Sequence, residues 1–363
     1  MIAAWWAGIA TGADGPHDGV IVRDAHLAGT PSAARVDLAI HDGRFIAIGT
    51  ASPDGRAPGV VAASPGDREL DLDGATIVPA FVDSHVHLSY WAVGPELADR
   101  GVAAAVDLGA PLQSLGARGT RGPRIVASGP MITAVRGYPL YGSDGSPSWG
   151  ADGYGLPCAD AAAARAAVLR LADAGAGVIK VPCEAPTLPD DAIRAAVDAA
   201  HGRGLVVVAH ALTDAAASRA ADLGIDGLAH TPTEPLTGAT VAKWKAKFVI
   251  ATLRAFGGAP ATVDNLRRLR AAGATVLYGT DLGNTRDAGI DAEELRLLGE
   301  AGLDGAAILA AGTTTPARIW HLDDLGAIAV GRAASFLVLA ADPTLDPSTL
   351  ARPRAVWLDG RPR

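Results

Sequence analysis

Val78-Pro79-Ala80-Phe81-Val82-Asp83-Ser84-His85-Val86-His87-Leu88 is the stretch on which the reading of the fold turns. An apolar run from Ala75 to Val82 leads into an acid and two histidines spaced i, i+2. Residues two apart on a strand share one face, so His85 and His87 can grip a single ion. Further along, Lys180, His210, His230 and Asp281 each fall at or just past the end of a later apolar run. Strands that deliver such groups from their C-terminal ends point to a barrel with a metal site at its mouth.

The surrounding pattern fits a (β/α)8 barrel. Short apolar runs at about 75–83, 103–108, 123–128, 177–182, 204–209, 226–229, 247–252 and 275–279 read as strands. Amphipathic Ala- and Leu-rich segments at about 159–174, 189–203, 213–223, 261–272 and 290–301 read as the helices between them. Both chain ends are instead β-like, with Val36-Asp37-Leu38-Ala39-Ile40 and Ser335-Phe336-Leu337-Val338-Leu339 as examples. The expected architecture is therefore α/β: a distorted (β/α)8 TIM barrel with a small β-sandwich built from both termini. Its divisions are an N-terminal sandwich part at 1–74, the catalytic barrel at 75–320 and a C-terminal sandwich part at 321–363. Residues 129–160, rich in Gly, Pro, Tyr and Ser, read as a lid over the barrel mouth.

Bulk properties narrow the function. The chain has 363 residues, 49% hydrophobic, enough for a barrel of about 250 residues plus a smaller unit. A net charge of −8 argues against nucleic acid or an anionic membrane as partner. No apolar run approaches the roughly 20 residues of a membrane span. Two cysteines, Cys158 and Cys183, cannot make a disulfide framework, which suits a cytoplasmic protein with buried, inert thiols. The Trp5-Trp6 pair near the N-terminus is a candidate interface, and a homo-oligomer acting on a small molecule is expected.

Several motifs together resemble the amidohydrolase superfamily, in its imidazolonepropionase-like and metal-dependent Xaa-Pro dipeptidase-like branch. Pro79 to His87 is similar to the superfamily's first-strand signature, with Ala80 where Gly is usual. Gly122-Pro123-Arg124-Ile125, Gly279-Thr280-Asp281 and Leu325-Gly326-Ala327-Ile328 resemble later landmarks, so the likeness covers roughly residues 65 to 345. It implies a hydrolase with two divalent metal ions, zinc by preference. His85, His87 and Asp281 would hold one ion and His210 and His230 the other. Lys180, desolvated so that its amine can lose its proton, would take up carbon dioxide and bridge the ions as a carbamate. Asp281 would act as general base and then general acid, and Asp83 as a structural or supporting acid.

A single strand-end histidine is usually structural; four of them with an acid in register favour metal binding. The expected reaction is hydrolysis of an amide in a peptide-like, N-acyl amino acid or cyclic compound. The alternatives are a one-metal enzyme opening an imidazolone or deaminating a heterocycle, with Lys180 unmodified, and a lactone or carbamate hydrolase. A non-catalytic barrel is disfavoured because every ligand type is present. Substrate candidates are Arg136, Arg254 and Arg286 for a carboxylate, with Tyr90, Trp91, Tyr138 and Tyr141 as pocket walls.

Overall fold

A computed structural model describes residues 19–50, 66–116, 122–142 and 145–363; Trp5 and Trp6 lie outside the described residues. Five strands open the fold: β1 (Val20–Leu27), β2 (Val36–His41), β3 (Arg44–Thr50), β4 (Arg68–Asp71) and β5 (Thr76–Pro79). Next come β6 (Phe81–Val86), β7 (Val102–Asp107), β8 (Arg124–Ala127), β9 (Met131–Ala134) and β10 (Gly155–Cys158). The parallel series continues with β11 (Val178–Pro182), β12 (Val206–His210), β13 (Gly227–Leu228), β14 (Phe248–Ile250) and β15 (Thr275–Leu277). The chain closes with β16 (Phe336–Leu339), β17 (Ala355–Leu358) and β18 (Arg361–Pro362).

Strands from both ends of the chain join in one eight-stranded sheet, ordered β18-β17-β16-β5-β1-β2-β3 with β4 beside β1. Its apolar side has a hydrophobic cluster of its own, including Phe45, Phe336 and Trp357. Residues 75–83, expected as one strand, are two. Thr76–Pro79 pairs with β16, and Phe81 onwards pairs with β7. The change of partner falls at Ala80, whose N–H donates to the Ser335 carbonyl, while the Phe81 N–H donates to Gly101. Pro79 assists the switch because it offers no N–H to a ladder.

Of the remaining strands, β9 and β10 pair with each other, and the others form a three-stranded parallel sheet, β6-β7-β8, and a five-stranded one, β11-β12-β13-β14-β15. Backbone bonds join the two at both sides. The Gly177 N–H donates to Ala127 at 2.9 Å, the Ser84 N–H to Tyr278 at 3.0 Å, and the Asp281 N–H to His85 at 2.8 Å. Helices at Ala161–Asp173, Asp190–His201, Asp214–Asp222, Pro260–Ala271 and Ala292–Glu300 match the expected periodic segments within a few residues. Three of them start where side chains satisfy free N–H groups: Asp160 accepts from Ala163, Thr213 from Ala216, and Asp291 from Glu293 and Glu294. Their inner faces, such as Ile193, Ala196, Val197 and Ala200, pack with the strands into one large cluster. Trp244, Tyr278 and Phe81 are among its largest fully buried side chains.

The long segment 129–160 is not wholly irregular. It contains β9 and β10, which pair in parallel, Met131 opposite Gly155. Cys158 and Cys183 are free and buried, and burial pushes the Cys183 thiol up to about 12, so it is no nucleophile at neutral pH. Among the described residues no helix is long and apolar enough to cross a membrane.

Candidate metal centre

β6 and the residue just past it deliver the first two groups. Alternation along the strand sends His85 and His87 to one side, and their Nε2 atoms approach to 3.2 Å. The tautomer of His85 is fixed, since its Nδ1–H donates to the Ala229 carbonyl at 2.7 Å and leaves the Nε2 lone pair facing inward. Asp281 follows β15 and meets them from the neighbouring segment, with Oδ1 3.1 Å from His87 Nε2 and 3.6 Å from His85 Nε2. Ligand atoms of these three buried residues all lie within 4.8 Å of one another. Asp281 has a left-handed backbone, φ 53°, unusual for a residue with a side chain.

Asp83 ties these two segments together. Its carboxylate accepts from the N–H groups of His85 and Thr280, each at 3.1 Å, and from the Thr280 hydroxyl at 2.6 Å. Burial pushes its carboxyl up to about 7, against the pull of those bonds. Asp83 is thus a clamp across the seam, the supporting role expected for it.

Lys180 lies inside β11, not at its end as the sequence suggested, and is 1% exposed. Its Nζ is 3.1 Å from His85 Nε2, and burial lowers its pKa to about 8. His210 ends β12, and His230 follows the two-residue β13. Burial holds His85 and His230 well below the ordinary range and brings His210 to about 3, so all three rings are neutral at physiological pH. Neutral imidazole is the form that binds metal. For Asp281, burial alone would raise the carboxyl; His85, His87 and Lys180 outweigh it and hold it ionised. The His230 ring is 4.4 Å from that of His85 and 5.0 Å from that of His210, centre to centre. The donor set fits borderline divalent cations, being imidazole nitrogen and carboxylate oxygen. The buried Nδ1 atoms of His87 and His210 have no hydrogen-bond partner among the described residues, so neither ring is tied there to a protein group.

The structure sorts the substrate candidates. Tyr138 stacks on the His210 ring with centroids 4.6 Å apart, and Trp149 meets the His87 ring at 5.8 Å. Residues of the 129–160 segment therefore cover the histidines, as a lid would. Tyr90 contacts Trp149 at 5.8 Å. Arg136 is exposed and lies over Tyr141 at 4.9 Å. Arg254 is not brought to the histidines in a free state: its guanidinium is held by Asp287 and Asp291. It lines a cavity of about 750 Å³ with Arg100 and Arg352, to which none of the six candidate ligands contributes.

Three contributors escaped sequence reading. Asp107, at the end of β7, is buried beside the backbone N–H groups of Leu88 and Ser89, just after His87, and its Oδ1 has no hydrogen-bond partner among the described residues. Burial pushes its carboxyl up to about 6, with the His87 ring pulling the other way. Its position at a strand end was the available signal. Thr252 places its hydroxyl 3.1 Å from His230 Nδ1, and Phe256 packs edge-on against the His230 ring at 5.1 Å. For these two, nothing in the sequence distinguishes them from ordinary loop residues.

The sequence profile of the amidohydrolase family matches residues 76–363, which include every one of these groups. The chain belongs to the amidohydrolase family. As a member it is a metal-dependent hydrolase, and its His85-His87-Asp281 group is suited to a metal ion. An uncharacterized protein of Mycobacterium tuberculosis is 28% identical over 92% of this chain and 93% of its own. An imidazolonepropionase of Symbiobacterium thermophilum is 35% identical, over 31% of this chain and 23% of its own. Among solved structures, a Xaa-Pro dipeptidase with methionine bound in its active site superposes with a TM-score of 0.79. It covers 95% of this chain and 99% of its own at 18% identity, a likeness of fold. The amidohydrolase assignment expected from the motifs is thus borne out by the family profile.

Proposed function

We propose that this amidohydrolase is a two-metal enzyme that cleaves an amide bond in a peptide-like, N-acyl amino acid or cyclic compound. The observation that carries this reading is the placement of Lys180 Nζ 3.1 Å from His85 Nε2, inside a buried group of four histidines and Asp281. An ammonium so placed would repel any cation bound by His85. A neutral amine can add to the carbon of carbon dioxide, forming an N–C bond and releasing a proton, and the resulting carbamate is an anion able to bridge. The lowered pKa of Lys180 supports that step.

Two bound divalent ions, zinc by preference, would supply an acidified water and polarise the substrate carbonyl. The chain's own residues do the rest. His85, His87 and Asp281 would hold one ion and His210 and His230 the other, with Lys180 as the carbamate supplying an anionic oxygen ligand between them. Asp281, ionised and acceptor-only, takes the proton from the attacking water and returns it to the leaving nitrogen. Tyr138 and Trp149 exclude bulk water from the reacting groups. The two parallel sheets read as one distorted (β/α)8 barrel over 75–320, which the backbone bonds at both sides support. The described strands of the terminal parts, 1–74 and 321–363, read as its small sandwich.

The convergence of His85, His87 and Asp281 alone supports a second reading, a one-ion enzyme acting on an imidazolone or aminated heterocycle. Metal content per chain separates the two, measured on protein produced with zinc and bicarbonate and on Lys180→Ala. Close to two ions, falling towards one in the variant, is expected. Close to one ion in both proteins moves the search to heterocycles.

A further inference from the structure

The chain is poor in aromatic residues, yet four of its five tyrosines, Tyr90, Tyr138, Tyr141 and Tyr154, lie on the loop after β6 or in the lid segment; only Tyr278 lies elsewhere. Tyr90, Tyr138 and Tyr154 each contact Trp149, with centroids 5.8, 5.9 and 5.3 Å away. Through Trp149 on His87 and Tyr138 on His210, this wall touches both halves of the histidine group. Flat aromatic walls of this kind suit an aromatic or large apolar group.

Beside the wall stands a cation. Arg286 is five residues beyond Asp281, on a loop tied back to the site. The Asn284 amide donates to Asp281 Oδ1 at 3.0 Å, and the Thr285 N–H donates to the Asp281 carbonyl at 3.0 Å. The guanidinium of Arg286 lies 3.8 Å from the Trp91 ring centre and 5.5 Å from that of Tyr90. Both rings belong to the turn after His87, whose carbonyl accepts their N–H groups at 2.9 and 3.1 Å. Arg286 therefore spans the loops that follow the two segments bearing His85, His87 and Asp281.

Its charge is also available. Arg254 is neutralised by Asp287 and Asp291, whereas Arg286 has no carboxylate in ion-pair range among the described residues. Stacking on a ring fixes the guanidinium plane and leaves its N–H edges free for a carboxylate. Arg136 is stacked too, but it donates to the Gly145 carbonyl at 3.4 Å and sits on Tyr141.

Resting on the amide-hydrolase reading above, we propose that the substrate carries a free carboxylate received by Arg286 and an aromatic side chain seated against Tyr90, Tyr138 and Trp149. The class is therefore N-acyl aromatic amino acids and dipeptides ending in one. A neutral cyclic amide or an aliphatic lactone lacks both features.

The test is a matched pair, alanyl-phenylalanine and its C-terminal amide, with alanyl-alanine as the ring control. Zinc-loaded wild type and Arg286→Gln are assayed for hydrolysis. Binding of 3-phenylpropanoate and of 3-phenylpropan-1-ol to both proteins is measured by calorimetry. Wild type is expected to prefer the free acid over the amide by about 10- to 100-fold in kcat/KM, and Arg286→Gln to lose that preference. Arg286→Lys, charged but without the planar fork, should recover part of it. Hydrolysis with no preference for the acid, with one unchanged in Arg286→Gln, or with alanyl-alanine cleaved as well as alanyl-phenylalanine overturns the proposal and leaves the amide-hydrolase reading standing. No hydrolysis of these peptides, but phenylpropanoate binding that depends on Arg286, sinks the peptide part of the amide-hydrolase reading and supports the pocket. Absence of both overturns the proposal.

Discussion

Thr252 holds a left-handed backbone, φ 45°, that a β-branched residue adopts only when its surroundings impose it. Its N–H donates to Gly279 at 3.2 Å, and its hydroxyl lies 3.1 Å from His230 Nδ1, which sets the way that ring faces. Thr252→Val keeps the shape and removes the hydroxyl. It is expected to weaken metal retention by about 10-fold or more, read by competition with a chelator. Thr252→Ser should stay near wild type. Asp83 offers a second test. Its removal in Asp83→Ala would leave three buried donors, on His85 and Thr280, without an acceptor. A loss of about 3 kcal/mol or more is expected in urea denaturation, since each such group costs about 1–3 kcal/mol. His85, His87, Lys180, His210, His230 and Asp281 were legible because their chemistry is rare at the ends of apolar runs. Thr252 and Asp107 were not, because threonine and aspartate are common in loops and their meaning depends on contacts remote in sequence.

At the scale of elements, one buried acid pins the loop after β14. Glu294, on the helix Ala292–Glu300, accepts from the N–H groups of Leu253 at 3.0 Å and Arg254 at 2.8 Å. Burial pushes its carboxyl from 4.5 up to about 8, overcoming those two bonds. The folded state therefore holds the Glu294 proton more tightly than the unfolded chain does. Its contribution to stability is fully present below about pH 4.5 and is lost as pH rises through about 8. Thermal melts between pH 5 and 9 should decline less steeply for Glu294→Gln than for wild type. Helices and most parallel strands were legible because periodicity and capping are local properties. The break at Ala80 was not, for it is decided by Ser335 and Gly101, and one of these lies at the far end of the chain. β9 and β10 were hidden by their brevity within a Gly- and Pro-rich stretch.

At the scale of the molecule, a large hydrophobic cluster surrounds the parallel strands and a smaller one packs against the terminal sheet. Phe336 anchors the small cluster, stacked on Trp357 at 5.7 Å and 6.0 Å from Phe45. Phe336→Ala should cost about 3–5 kcal/mol in urea denaturation, while metal content of the folded protein stays unchanged. A fall in metal content would show that the terminal sheet helps shape the site.

The clamp between Asp83 and Thr280 has a consequence in time as well as in space. The groups it aligns are almost two hundred residues apart along the chain, so the ion-binding triad is a non-local contact of the slowest kind to form. During synthesis, a chain that has emerged as far as His210 already carries three of the four histidines but lacks the carboxylate that completes the triad. Cation capture at the triad then waits for β15 and the Asp281 that follows it, and a nascent chain stays blind to metal there until those residues have emerged.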